Sequence, residues 1–147
     1  MPFSNTKQDE IQDEIQDEIM KQDEIFNKYP SLFKNKDLPP SQTCMCWGID
    51  CGKGWFALVE ELCNAIRNHE NNVKDPNYQK VSFDQIKEKF GTLRVYFSGG
   101  DAYIEGLVSM AEQFSARICE KCGKPGKKQK GGWIRTLCDE CQEEIEK

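Results

Sequence analysis

Two pairs of cysteines near the end of the sequence have the residue type and spacing of metal ligands. Cys119 and Cys122 form one C-x-x-C pair, Cys138 and Cys141 form the second, and fifteen residues separate the pairs. Two intervening residues let the backbone turn so that both thiolates face one point, about 2.3 Å from each sulfur in a zinc site. Such pairs are typical of zinc ribbons. The sequence therefore predicts a closed four-thiolate Zn²⁺ site that stabilises the fold and leaves no position open for a substrate.

Two other kinds of site use the same residue types. A thioredoxin-like redox pair needs only one C-x-x-C, in a strand-to-helix setting that is missing here. Iron held by four thiolates is chemically reasonable, and ligand spacing does not separate iron from zinc. Gly123 follows the second ligand directly, where glycine tolerates a backbone conformation that a side chain would oppose. We expect zinc, and iron stays open as the alternative.

The metal loop, defined as residues 123–137 between the cysteine pairs, is basic and contains an aromatic residue. No acidic residue occurs from 121 to 137. Basic side chains beside an exposed aromatic ring could hold phosphates and stack a base. Alternatively, Trp133 and Ile134 form the hydrophobic lid that a small ribbon usually needs, and this is the role we expect for Trp133. The candidate partner-binding residues are Lys124, Lys127, Lys128, Lys130, Trp133 and Arg135.

The remaining cysteines leave a second metal site open. Cys44, Cys46 and Cys51 could combine with Cys63 or His69, but this spacing is not common among metal ligands. Cys63 also falls on the apolar stripe of a predicted helix, where a free cysteine packs as a small hydrophobic residue. The sequence does not decide between these two interpretations.

No catalytic residue is predicted, so we expect a protein that is not an enzyme. His69 has neither a second histidine nor a nucleophile motif near it. Residues 52–54 (GKG) lack the longer spacing and the Lys-Ser/Thr ending of a phosphate-binding loop. A zinc deaminase would have Pro before its C-x-x-C, and neither pair here does.

The acidic character of the chain is concentrated at its start. The chain has 147 residues and a formal charge of −5, and residues 1–25 contain eight acidic side chains against two lysines. Residues 8–25 repeat the motif QDEI, with an MK insertion, and place Ile11, Ile15 and Ile19 on one helical face. Thr6 and Asp9 predict a capping box. Residues 8–29 are therefore either a solvated, fraying acidic tail or a helix that pairs with its copy in a second chain as a coiled-coil homodimer.

The location of the protein is also predicted from simple features. No run of eighteen apolar residues could span a membrane, and the N-terminus lacks the basic and apolar regions of a secretory signal. Without export, paired cysteines are more readily metal ligands than disulfides. We therefore expect a cytoplasmic protein in a reducing cytosol with no membrane partner.

The predicted fold class is α+β. Residues 55–72 have the spacing of a helix with one buried stripe, and residues 81–98 alternate as a β-hairpin with a turn near Gly91. Asp101 is expected to cap a helix that continues to about Ile118, with a core stripe of Ile104, Leu107, Val108, Ala111, Phe114 and Ile118. A short helix is expected from Asp139 to Glu146. The expected divisions are an acidic helix (1–29), an α+β body (30–118) and a zinc ribbon (119–147).

Four segments together resemble a family. They are CWGIDCGKGW at 46–55, IKEKFGTLRVYF at 86–97, CEKCGKPG at 119–126 and GWIRTLCD at 132–139. In this order they resemble a group of small phage and prophage proteins that have no assigned role, over roughly residues 26–141. The resemblance implies a viral accessory protein in a bacterial cytosol that acts on nucleic acid or on a component of host defence.

Two hypotheses of function follow. In the first, a non-catalytic zinc protein binds a macromolecule, either nucleic acid or a host protein that handles it, through the basic surface of the ribbon. In the second, the protein is an anti-defence inhibitor, which blocks a bacterial immune protein such as a CRISPR effector or sequesters a nucleotide signal.

Overall fold

The computed structural model describes residues 6–146 and confirms the α+β class. The helices are α1 (Lys7–Lys28), α2 (Phe56–Asn72), α3 (Ala102–Ser115) and α4 (Asp139–Glu146), and the strands are β1 (Ile49–Asp50), β2 (Ser82–Lys89), β3 (Thr92–Ser98), β4 (Lys127–Lys128) and β5 (Thr136–Leu137). Single 3₁₀ turns cover Met45–Trp47 and Lys53–Trp55. The short strand β1 was not predicted.

The predicted hairpin forms the centre of a three-stranded sheet. β2 and β3 pair antiparallel, and β1 adds to the other edge of β2 in parallel. The two-residue turn has positive φ angles at both Phe90 (52°) and Gly91 (81°), which matches the twist of the flanking strands. A register shift between Phe83 and Gln85 breaks the simple alternation expected for β2, so Phe83 and Ile86 are both buried.

α2 and α3 pack against each other, and α3 packs on the sheet. The predicted cap of α3 is confirmed, because the Asp101 carboxylate accepts a hydrogen bond from the Ile104 amide at 3.1 Å. Ile104, Val108 and Ala111 are buried as expected. The prediction for Phe114 is wrong: this side chain is 51% exposed. α3 also ends at Ser115 rather than near Ile118, because the backbone turns there toward the first cysteine.

α1 begins with the predicted capping box between Thr6 and Asp9. Its last turn joins the core of the body through Ile25, while Ile11, Ile15 and Ile19 remain about half exposed. The Gln22 side chain anchors the helix to β1, since its amide both donates to the carbonyl and accepts from the N–H of Ile49. The coiled-coil homodimer stays a prediction. None of the helices within residues 6–146 combines the length and apolar character needed to cross a membrane.

Candidate metal centre

The structure brings the four predicted cysteines together. The Sγ atoms of Cys119, Cys122, Cys138 and Cys141 all lie within 4.8 Å of one another, and those of Cys122 and Cys138 are 3.7 Å apart. Cys119 and Cys141 are buried, Cys138 is partly buried and Cys122 is exposed. Four sulfur donors converging on one point form a potential metal-binding site, as the spacing predicted.

The first pair lies on a tight turn at the end of the body. The Gly123 amide donates to the Cys119 carbonyl at 2.9 Å, and the Cys119 amide donates to the Lys124 carbonyl at 2.7 Å. Gly123 has a φ of 84°, which confirms the conformation expected at that position. The turn directs the Cys119 side chain inward and the Cys122 side chain toward the same point from the surface.

The second pair lies at the start of α4, directly after β5. The expectation that a strand-to-helix setting is missing is therefore wrong for this pair, and the convergence of all four sulfurs is what favours a metal site over a redox pair. The Cys138 carbonyl accepts the amide of Gln142 at 3.0 Å, and its Sγ atom accepts the amide of Cys141 at 3.5 Å. Cys138 therefore caps α4, and the positive end of the helix dipole favours a thiolate there. The β4–β5 ladder, which pairs Lys127 with Leu137 and Lys128 with Thr136, returns the chain from the first pair to the second.

The thiols differ in how readily they ionise. Burial opposes ionisation of Cys119, but hydrogen bonds from the backbone at Cys138 and Cys122 outweigh it and lower the pKa of Cys119 to about 7. Burial, together with hydrogen bonds to the neighbouring cysteines, raises the pKa of Cys141. Binding of a divalent metal to all four sulfurs must therefore release protons, so metal affinity falls as the pH falls.

A glycine-rich loop of the body, residues 52–55, holds the first cysteine turn in place. The Gly54 amide donates to the Glu120 carbonyl at 2.7 Å, the Gly52 amide donates to the Glu120 carboxylate at 2.8 Å, and the buried Trp55 indole donates to the Ile118 carbonyl at 2.8 Å. A Cβ atom on Gly54 would overlap the carbonyl oxygen of Cys119. Sequence reasoning found no role for this loop. The sequence feature that could have indicated this role is the pair of glycines, Gly52 and Gly54, just before Trp55, because glycine allows another backbone to approach closely.

The basic residues of the ribbon divide into two groups. Lys121, Lys124 and Lys127 face the acidic helix α4 and form ion pairs with Glu144, Glu140 and Asp139 at 3.0, 3.6 and 3.6 Å respectively. Lys128 and Lys130 are exposed, and neither forms an ion pair with any residue in the described range 6–146. Burial raises the pKa of the Glu120 carboxyl, and the nearby guanidinium of the partly buried Arg135 offsets this only in part.

The lid expected over the metal centre is not formed. Trp133 is 76% exposed and Ile134 is 43% exposed, so the expectation that they pack over the cysteines is wrong. The apolar interior of the ribbon consists instead of Leu137 with the sulfur ligands. Trp133 lies beside the tip of the β2–β3 hairpin. The metal loop, through Trp133, and the hairpin tip, through Phe90, line one cleft.

The other cysteines do not form a second cluster within the part of the chain that the structure describes. Cys63 is buried in the core of the body, as its position on the helical stripe predicted, and burial raises its pKa. Cys44 is exposed, and Cys51 is partly buried, with burial as the main cause of its raised pKa. His69 forms a pair with Asp101 at 2.8 Å and stacks on Tyr103, so its contacts connect α2 to the start of α3.

Comparisons of the chain with protein-family models, with curated proteins and with solved structures find no match.

Proposed function

We propose that this chain is a non-catalytic zinc protein that binds nucleic acid through the basic surface of its metal loop. The convergence of four sulfurs within 4.8 Å supports the zinc site. Zn²⁺ prefers a tetrahedral set of thiolates, and four protein ligands leave no position for water or substrate. The donor set thus fits a stabilising metal, which would hold the metal loop in its folded form.

The exposed side chains of the metal loop support nucleic acid as the partner. The observation that carries the proposal is that the metal loop exposes Trp133 together with Lys128 and Lys130 of the same loop, two lysines without an ion pair in the described range 6–146. Lysines hold phosphates through charge, and an indole offers a face on which a base can stack. The metal loop contains both kinds of group.

The paired lysines do not contradict this proposal. Lys124 and Lys127 and their carboxylate partners are exposed, and both pairs are long at 3.6 Å. Exposed ion pairs contribute little to stability. A phosphate can therefore replace the carboxylate at small cost, and α4 would act as an internal competitor that sets the affinity.

The experiment is a fluorescence anisotropy titration of labelled DNA and RNA oligonucleotides with full-length, zinc-loaded protein at several salt concentrations. We expect the affinity to fall steeply as salt rises, because bound lysines release counterions from the phosphates. Changing Lys127, Lys128 and Lys130 together to Glu should weaken binding and reduce the salt slope by about 2.

The matched control is the triple variant in which Lys34, Lys74 and Lys80 become Glu. These lysines are exposed and belong to the body, so the net charge changes equally while the metal loop stays intact. Equal weakening in both triple variants would assign the effect to net charge alone and overturn the surface proposed here. Absent or salt-insensitive binding of wild-type protein would overturn the nucleic-acid proposal itself.

A second candidate function is an anti-defence inhibitor that grips a basic bacterial protein, and α1 favours it. This helix has 22 residues and presents exposed carboxylates along its length, which could fit a groove that normally holds a nucleic-acid backbone. If the wild-type protein binds no oligonucleotide but retains a stoichiometric protein from bacterial lysate, and neutralising the α1 carboxylates abolishes this, the inhibitor replaces the first proposal. A phage origin and a bacterial cytosol are part of both proposals.

A further inference from the structure

Two exposed aromatic rings from distant parts of the sequence meet at one cleft. Phe90, at the tip of the β2–β3 hairpin, is 65% exposed, and Trp133 of the metal loop is 76% exposed. With Ile134 and Lys89 they line a cleft of about 430 Å³. We infer that Phe90 and Trp133 form a stacking platform for the unpaired bases of single-stranded nucleic acid. This inference rests on the proposed function and narrows its ligand.

The hairpin tip and the metal loop are held together by contacts that do not involve the rings. The Thr136 hydroxyl donates to the Gly91 carbonyl. A Cβ atom on Gly91 would lie 3.3 Å from the Ile134 side chain, which is closer than ordinary van der Waals contact. Glycine at position 91 therefore allows the hairpin tip and the metal loop to approach this closely. The platform is therefore assembled by the fold, and neither ring is needed to build it.

The backbone at Phe90 supports a role for its side chain. Phe90 is the single non-glycine residue with positive φ in the range 6–146, at 52°. A two-residue hairpin turn of this type favours Asn, Asp or Gly at that position, and a bulky residue is strained there. The ring of Phe90 is mostly in water, so burial does not offset the strain. Unfavourable conformations of this kind concentrate at functional positions.

The charges around the cleft fit a polyanion. Lys89 lies over the Phe90 ring, with its Nζ atom 5.7 Å from the ring centre. Lys128 pairs with Thr136 in the β4–β5 ladder, one strand from the hairpin tip. The acidic residue of the cleft is Glu88, and its carboxylate already accepts the Gly91 amide at 2.7 Å. Lys89 therefore places a cation over one ring of the cleft, and Lys128 adds a second positive charge on the neighbouring ladder, where the phosphates of a strand with stacked bases could contact them.

An unpaired strand fits this platform better than a duplex. Base faces in a duplex are covered by their neighbours, and only a strand with splayed bases can offer them to a protein ring. Stacking is tolerant of sequence because every base has a π face. We therefore expect little sequence preference and a clear preference for single strands.

The test compares three labelled ligands of equal length with the full-length, zinc-loaded protein: a single-stranded oligonucleotide, the same strand with abasic positions, and a blunt duplex. The abasic strand keeps the phosphates and lacks the rings. We expect the base-containing strand to bind most tightly. Trp133→Ala should weaken its binding by roughly 5- to 150-fold, the range for loss of one stacked base, with little change for the abasic strand.

Phe90→Asn sharpens the test because Asn suits the turn. This variant should melt at the same temperature as the wild type or higher, yet bind the base-containing strand more weakly. The matched control is Trp47→Ala, which removes an indole that is 66% exposed and lies outside the cleft. It should leave all three affinities unchanged.

The outcomes separate the stacking platform from the proposed function. Equal binding of the base-containing and abasic strands, with Phe90→Asn and Trp133→Ala silent, would overturn the platform and leave phosphate binding intact. If none of the three ligands binds, both fail. If the aromatic variants instead abolish retention of a protein partner, the cleft is a protein-docking surface and the platform is wrong.

Discussion

The body and the ribbon of this chain are stabilised by different physical effects. The body encloses one cluster of twenty buried apolar residues, contributed by α1, α2, α3, the sheet and the loops between them. In the described part of the ribbon, residues 119–146, the buried apolar side chains are Leu137, Cys119 and Cys141. Hydrophobic burial scales with the area removed from water, so it can account for the body and not for the ribbon. From this difference we expect the ribbon to depend on metal binding by its four cysteines and on its contacts with the loop at residues 52–55.

The largest expected effect comes from breaking the metal centre. Cys119→Ser removes one of the four ligands and should release the metal. The ribbon should then lose the stabilisation of on the order of 10 kcal/mol that a structural zinc ion contributes to folding. We expect amides of residues 119–138 to lose protection from hydrogen exchange while those of α2, β2 and β3 keep theirs. The matched control is Cys44→Ser, an exposed cysteine outside the cluster, which should retain both metal and protection. Loss of protection from hydrogen exchange throughout the body as well would contradict the claim that body and ribbon are stabilised separately.

The reverse experiment removes apolar volume from the body. Phe83 is fully buried in the core cluster. Phe83→Ala should lower the free energy of unfolding by about 3–5 kcal/mol, the usual cost of deleting a buried aromatic ring. Urea denaturation followed by circular dichroism measures it. The folded variant should still bind one metal ion, and a loss of metal under native conditions would show that the two regions are not independent.

A smaller effect is expected where the two regions touch. In Gly54→Ala the new methyl group would overlap the carbonyl oxygens of Cys119 and Glu120, and forcing the loop apart should cost about 1–3 kcal/mol. We expect faster hydrogen exchange in the ribbon and a lower urea midpoint. The control is Gly106→Ala in α3, where a Cβ atom meets nothing within 4 Å. That variant should be stabilised by about 0.5–1 kcal/mol, since alanine is favoured over glycine in a helix.

The smallest effect belongs to the body alone. Asp101→Ala removes the cap of α3 and the partner of His69, and should lower Tm by a few degrees without loss of metal. The hydrogen bond with His69 leads the effects that lower the pKa of Asp101 below its ordinary 3.8. The ionised Asp101 carboxylate therefore adds to the stability of the fold above pH 3.8, and this stabilisation is lost as the pH falls through the lowered pKa. Thermal melts of wild-type and variant protein should converge in acid. A gap that persists there would contradict this role.

The sequence predicted those features that follow from local rules. The spacing of the cysteines predicted the cluster, the glycine after Cys122 predicted the turn, and Asp101 and Thr6 predicted two helix caps. The helical stripe at residues 55–72 and the alternation at 81–98 also gave the correct elements. Each of these signals lies within a few neighbouring residues, so a pattern along the chain suffices to detect it.

Features that depend on distant contacts were missed. The contact between Gly54 and Glu120 joins residues far apart in sequence, and so does the cleft between Phe90 and Trp133. Phe114 satisfies the helical spacing of α3, but it lines a surface groove between α2 and α3 and is 51% exposed there. The same limitation produced the lid expected of Trp133: an apolar residue in a small ribbon does not reveal whether a neighbour covers it.

The most direct test of the central claim is native mass spectrometry of freshly purified, full-length protein, combined with elemental analysis. If four thiolates close around one structural ion, the wild type and Cys44→Ser should each retain one zinc ion, and Cys119→Ser should retain none. Wild-type protein that is folded and free of metal, or a Cys119→Ser variant that keeps its zinc, would contradict the claim. One iron ion in place of zinc would preserve the four-sulfur centre and refute the assignment of its metal.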